Sequence, residues 1–142
     1  MKHPSMFPPW RLWLALCLWG LGHVAWAGVV VIAHPALRKV DLVTLQRIYT
    51  GKVIEVGGVA VQPVNLHAGV PVRQRFLNEF LQQSDDTYQA YWTVRRYVGK
   101  GTPPRELGSA AEVISYVQNT AGAIGYVDDA DNPPAALVLM RR

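Results

Sequence analysis

An α/β fold, a mixed or largely parallel sheet flanked by helices, follows from three features of this 142-residue chain. Residues 28–33, Gly-Val-Val-Val-Ile-Ala, form a continuous β-branched run, which is how a strand buried on both faces reads. Segments with apolar residues at helical spacing alternate with such runs along the chain. The stretch from Ser109 to Val127 joins a helix, a glycine turn and a buried strand in one unit. The expected order is β-α-β-α-α-loop-α-β-β, with no internal repeat and one domain over residues 28–142.

His34-Pro35 ends the first strand, since proline cannot donate to a ladder. Leu42, Leu45, Ile48 and Tyr49 recur at helical intervals, and Gly51 is placed to stop that helix. Gly57-Gly58 marks a turn between two short extended pieces. Val59, Val61 and Val64 then predict a strand running to Leu66. His67-Ala68-Gly69-Val70-Pro71 reads as a strand-to-helix turn, with Pro71 suited to the first helical position. Val72, Phe76, Leu77, Phe80 and Leu81 form the inner face of the helix after it.

Ser84 is a suitable N-cap, and Asp85 and Asp86 complement the helix dipole. The helix they start carries Tyr88, Tyr91, Trp92 and Val98, an aromatic stripe that reads as core. A Gly99-Lys100-Gly101 turn and a rigid Pro103-Pro104 loop follow. Ser109, with Glu112 three residues on, reads as a capping box. Val113, Ile114 and Val117 give that helix an apolar face, and Asn119–Gly122 ends it. Residues 123–127 predict a buried strand, 128–134 an acidic loop, and 136–140 a final strand.

Residues 1–27 read as a secretory signal peptide. Lys2 and Arg11 give a positive start, Leu12–Leu21 an apolar core, and Ala25-Trp26-Ala27 a cleavage pattern. Cys17 lies in the middle of that core, behind the bulky Leu14, and reads as one more apolar residue instead of a lipid-attachment site. A periplasmic address follows. From residue 28 onward there is no cysteine, which excludes disulfide scaffolds and thiol chemistry there. The whole chain carries 14 basic and 10 acidic side chains; without Lys2 and Arg11 the balance is 12 to 10. That is no electrostatic footprint for nucleic acid. His34 and His67 have no metal-ligand spacing, and no nucleophile elbow, P-loop or dinucleotide fingerprint occurs. No catalytic residue, metal or cofactor is assigned, and the chain reads as a non-enzyme.

The turn from Leu66 to Arg73 is the one candidate for binding. A strand ending in a glycine turn that opens a helix offers unpaired N–H groups and a favourable dipole to an anion. Gly69 permits close approach, Arg73 could add charge-assisted hydrogen bonds, and His67 a further donor. Lys100 is placed on the same face, on the premise that loops cluster at one edge of an α/β sheet.

Gly122-Ala-Ile-Gly-Tyr-Val127, preceded by a helix and the Gly99-Lys100-Gly101 loop, resembles the closing part of phosphate-type periplasmic solute-binding proteins. Residues 41–52, DLVTLQRIYTGK, resemble a helix of the same proteins. From about Val29 to Val127 the chain is similar to short phosphate ABC transporter substrate-binding-like proteins. The resemblance implies a single lobe of a type II periplasmic-binding-protein-like fold, a small anionic solute as ligand and a membrane permease as partner. The family's oxyanion turn reads Arg-Ala-Asp-Gly-Ser-Gly-Thr. With its glycine at Gly69, Leu66 stands at the arginine, Ala68 at the acidic residue, Val70 at the serine and Val72 at the threonine. Gly69, the backbone amides and a displaced Arg73 remain. Two readings stay open: binding of a phosphate-like anion, and an interaction or sensor module that docks another envelope protein and has lost the ligand. A homodimer, in which a second copy supplies the missing lobe, is a further expectation.

Overall fold

The computed structural model describes residues 28–37 and 39–142; the signal-peptide reading lies outside them. Strand β1 (Val29–Ala33) is buried throughout, as its unbroken β-branched run requires. Helix α1 (Leu42–Tyr49) follows, its N-cap Asp41 accepting from the Thr44 N–H at 2.7 Å. Strands β2 (Glu55–Val56) and β3 (Val59–Ala60) make a small hairpin, and β4 (Gln62–Leu66) enters the main sheet. The expected single strand from Val59 to Leu66 is thus interrupted at Val61. There the backbone changes partner: Val61 N–H donates to Ile54, and Gln62 N–H donates to Gly122.

Helix α2 (Pro71–Phe76) continues into a wider π turn over Leu77–Leu81. Helix α3 (Asp85–Tyr97) is capped by Ser84, whose Oγ accepts from Thr87 N–H. Residues 105–107 form an edge strand, β5 (Arg105–Leu107), where the sequence reading placed a loop. Two of its three side chains are exposed, so no apolar run advertises it. Helix α4 (Ala110–Asn119) precedes β6 (Ala123–Asp128), and a short 3₁₀ turn at 135–137 precedes β7 (Val138–Arg141). At the start of α4 Ser109 caps Glu112 N–H. The Glu112 carboxylate reaches past Ser109 to Gly108 N–H at 2.7 Å, so the capping box closes one residue early.

The sheet order is β5-β4-β6-β1-β7. β4 runs parallel to both β5 and β6, while β1 runs antiparallel to β6 and β7. Alternation along β6 assigns the two faces. Gly125 faces α4: a Cβ there would sit 2.7 Å from Val113 Cγ1 and 2.9 Å from Val64 Cγ2. Tyr126 points the other way and stacks on Phe76, with ring centroids 3.9 Å apart. Tyr49 and Phe80 extend that aromatic layer beneath α1 and α2. Helices thus cover both faces of one mixed sheet, and the buried residues from Val29 to Leu137 form one cluster.

Candidate ligand-binding site

The C-terminal end of β4 is held from below by a chain of buried hydrogen bonds. Leu66 N–H donates to Tyr126 Oη at 3.1 Å, and that hydroxyl donates to Asn65 Oδ1 at 3.1 Å. Asn65 Nδ2 donates to Tyr88 Oη, which donates to the Tyr49 carbonyl at 2.9 Å. Burial pushes the phenols of Tyr49, Tyr88 and Tyr126 up from their ordinary range, so all three stay protonated donors at neutral pH. Three other elements, β6, α3 and α1, are thereby tied to one strand end. The turn that follows stands on a rigid base.

In that turn Gly69 has φ +88 and open space around its Cα. The left-handed conformation is what glycine permits at low cost. Val70 N–H is spent on the His67 carbonyl and Arg73 N–H on that of Val70. Pro71 brings no N–H. The N–H groups of Ala68 and Gly69 take no acceptor among the described residues. Val70 is half-buried, and Val72 is buried in the core, so its side chain faces away from solvent.

Arg73 is the surprise of the turn. Its side chain is 2% exposed, and it is held on three sides. Nε and Nη2 donate to Asp85 Oδ1 at 3.2 and 2.8 Å; Nη1 donates to Glu106 Oε1 at 2.8 Å and to the Leu66 carbonyl at 2.9 Å. Burial alone would lower the guanidinium's proton affinity, but the hydrogen bonds it donates to Asp85 and Glu106 outweigh that and raise it. Glu106 behaves in mirror image: desolvation would raise its carboxyl, and Arg73 together with His67 holds it below the ordinary value. His67 Nδ1 lies 3.3 Å from Glu106 Oε2. The cluster contains one permanent cation and two carboxylates.

His67, Gly69, Val70 and Arg73 are therefore brought together at one sheet edge. Lys100 is not. Residues 98–104 connect a helix to a strand, so they lie at the edge opposite the strand-to-helix turns. Asp85, which touches Arg73, starts α3, and Lys100 N–H caps its far end by donating to the Arg95 carbonyl. A 13-residue helix is about 20 Å long, which separates Lys100 from the turn.

Asp85 and Glu106 are the residues that the sequence reading missed as members of this cluster. Asp85 was visible only as a first-turn carboxylate, and Glu106 lies in the edge strand that had no apolar signature. Among the described residues no group of three His, Asp or Glu side chains is placed to hold a metal ion.

Neither protein-family models nor curated proteins give a match to this chain. Its fold is similar to two solved structures. One is an ABC-type phosphate transport receptor from Vibrio cholerae, with TM-score 0.60 and 16% identity over 80% of this chain and 46% of that one. The other is a putative phosphate ABC transporter substrate-binding protein with bound phosphate from Clostridium perfringens. It gives TM-score 0.54 and 19% identity over 72% of this chain and 40% of that one. The chain therefore has the architecture of one lobe of such a protein and spans less than half of either.

Proposed function

We propose that this chain is a non-catalytic, periplasmic solute-binding-like protein that contacts a phosphate-like oxyanion through the main chain of the β4–α2 turn. The observation that carries the reading is the Gly69 turn: two N–H groups without acceptors among the described residues, at the end of a strand braced by the buried Tyr126, Tyr88 and Tyr49. Such a nest of donors, ahead of a helix, favours an anion. The fold similarity to phosphate transport receptors supports the same class. His67 stands beside the turn as a further donor. Arg73 works from behind it, fixing the geometry through Leu66, Asp85 and Glu106. An ABC permease is the partner this reading implies.

One observation favours a second reading. The guanidinium is already matched by two carboxylates, and Val70 and Val72 bring no polar side chain to the turn. On that reading the fold is kept, the ligand is lost and the protein docks another envelope protein.

Thermal unfolding with phosphate or sulfate from 0 to 20 mM separates the two. A ligand at ten times its dissociation constant adds about 1.4 kcal/mol, a rise of roughly 4–6 °C for a domain of this size. In ¹⁵N NMR spectra the same titration is expected to move the Ala68 and Gly69 amides first. A flat midpoint with unmoved amides rejects anion binding and leaves the docking module.

A further inference from the structure

The sheet opens at the start of β4. In the parallel ladder between β4 and β5, Val64 pairs with Arg105, Asn65 with Glu106 and Leu66 with Leu107. One step back, the same register sets Pro63 against Pro104, and proline has no N–H to donate. The ladder stops there. A groove of about 440 Å³ lies where the two segments part, at the sheet edge opposite the Gly69 turn. Ile48, Val53, Ile54, Val61, Pro63 and Pro103 give it apolar walls, and Ile54 is 76% exposed, an apolar side chain that the core does not use.

The rim of the groove is basic. Arg105 lines it, with its guanidinium over the Tyr116 ring at 5.7 Å. Arg95 lies over the rings of Tyr91 and Trp92 at 5.5 and 5.6 Å, and its Nη2 donates to the carbonyl of Gly51, another lining residue. Aromatic faces hold a guanidinium in place and leave its net charge intact. Lys52 N–H donates to the Arg47 carbonyl just past α1, and Lys100 N–H to the Arg95 carbonyl just past α3, which brings further cations to the same edge. Helix dipoles account for Arg47 and Arg95, in the last turns of α1 and α3, but Arg105 opens a strand. None of these side chains forms an ion pair among the described residues. The segments 47–63 and 91–105, which build this edge, carry only Glu55 as a carboxylate.

We propose that this groove docks an acidic segment of a partner protein, an extended stretch in which aspartate or glutamate alternates with bulky apolar residues. The apolar walls take the apolar side chains, and the arginines held on aromatic rings take the carboxylates. A second copy of the chain does not supply such a segment. Its basic rim would repel this one, and its acidic loop is spent: Asp128 pairs with Arg75, Asp129 with Arg141, and Asp131 accepts from Asp128 N–H. A flat anionic membrane would meet the charges but leave the concave apolar walls unfilled. The proposal holds whether or not the Gly69 turn takes an anion, because the two places lie at opposite edges of the sheet.

The test uses three sets of fluorescein-labelled synthetic peptides, read by anisotropy against the protein. The first set alternates Asp or Glu with Leu, Ile or Trp; Lys replaces every acidic residue in the second set, and Ser in the third. The first set is expected to bind saturably, and the other two about tenfold more weakly. Arg105→Gln and Ile54→Ser, both at exposed positions, are each expected to weaken binding about fivefold without changing the melting temperature. Binding should also weaken as salt is added. A first set that does not bind overturns the proposal, as does an equal response from all three sets or an unchanged affinity in both variants. Competition by phosphate at matched ionic strength would place the carboxylates at the Gly69 turn instead, and a dimer in light scattering that excludes the acidic peptides would give the groove to a second copy; either result also overturns it.

Discussion

Arg73→Met asks what the buried guanidinium is for. The substitution keeps an unbranched side chain in the helix and deletes four hydrogen bonds, two to Asp85, one to Glu106 and one to the Leu66 carbonyl. Glu106 is 46% exposed and can rehydrate, whereas Asp85 is 15% exposed and the Leu66 carbonyl is buried. Removing one partner of a buried pair strands the other, at a cost of about 3–5 kcal/mol. For a domain of roughly 115 residues that lowers the melting temperature by roughly 10–20 °C. Urea denaturation gives the free energy directly. The double variant Arg73→Met with Asp85→Asn is expected to recover part of the loss, because the stranded carboxylate is then gone. A loss below about 1 kcal/mol in the single variant refutes the reasoning. Arg73 would then be a poorly anchored cation, free to act as a ligand group itself, and its contacts to Asp85 and Glu106 would be incidental.

Four other outcomes follow from the same contacts. Glu106 and Asp128 are held below their ordinary values near 4.5 and 3.8 by Arg73 and by Ala130 N–H with Arg75, in each case against desolvation. Their stabilisation is therefore complete above those ordinary values and is lost as pH falls through the lower folded-state values; Glu106→Gln should flatten the acid limb of a stability–pH curve. Tyr126→Phe leaves Leu66 N–H and Asn65 Oδ1 unsatisfied in the core, and urea unfolding should show a loss of about 1–3 kcal/mol. Gly122→Ala combines φ +82 with a Cβ 1.9 Å from the Ala60 carbonyl oxygen, which should cost about 2–4 kcal/mol in the same assay. Lys100→Ala, at the far end of α3, should leave any phosphate-dependent rise in melting temperature unchanged.

The fold was legible wherever burial dictates a pattern. The β-branched run of β1, the capped starts of α3 and α4, and the Ala123–Val127 strand after a glycine are each written in local residue types. What escaped was decided by neighbours distant in sequence. Strand β5 exists because Arg105, Glu106 and Leu107 pair with Val64, Asn65 and Leu66, more than 40 residues earlier. The break at Val61 exists because Gln62 turns to Gly122, at the end of another helix. The site divides in the same way. The Gly69 turn is local and was visible, whereas the partners of Arg73 lie 12 and 33 residues away and were not. Lys100 was grouped with the turn on the premise that loops share one edge, but its loop leads from α3 into β5, and the direction of a connection decides its edge.

The pairing of Arg73 also bears on how this domain holds a buried cation. In a cleft between two lobes, an arginine at the floor can be neutralised by ligand and dried by the opposing surface. This chain spans less than half of the receptors it is similar to. Within the described residues no second lobe closes over the turn, so an unpaired guanidinium there would be either solvated and mobile or buried at a prohibitive cost. Asp85 and Glu106 resolve this from within the same domain, supplying two carboxylates where a captured anion would supply one. The consequence for affinity is specific. An oxyanion at the Gly69 turn meets main-chain dipoles and the field of a cluster with one permanent cation against two carboxylates, whose net charge opposes it. Millimolar binding that tightens when Glu106→Gln removes one negative charge is the expected behaviour; binding that weakens in Glu106→Gln would mean that the carboxylate positions a donor for the anion instead of repelling it.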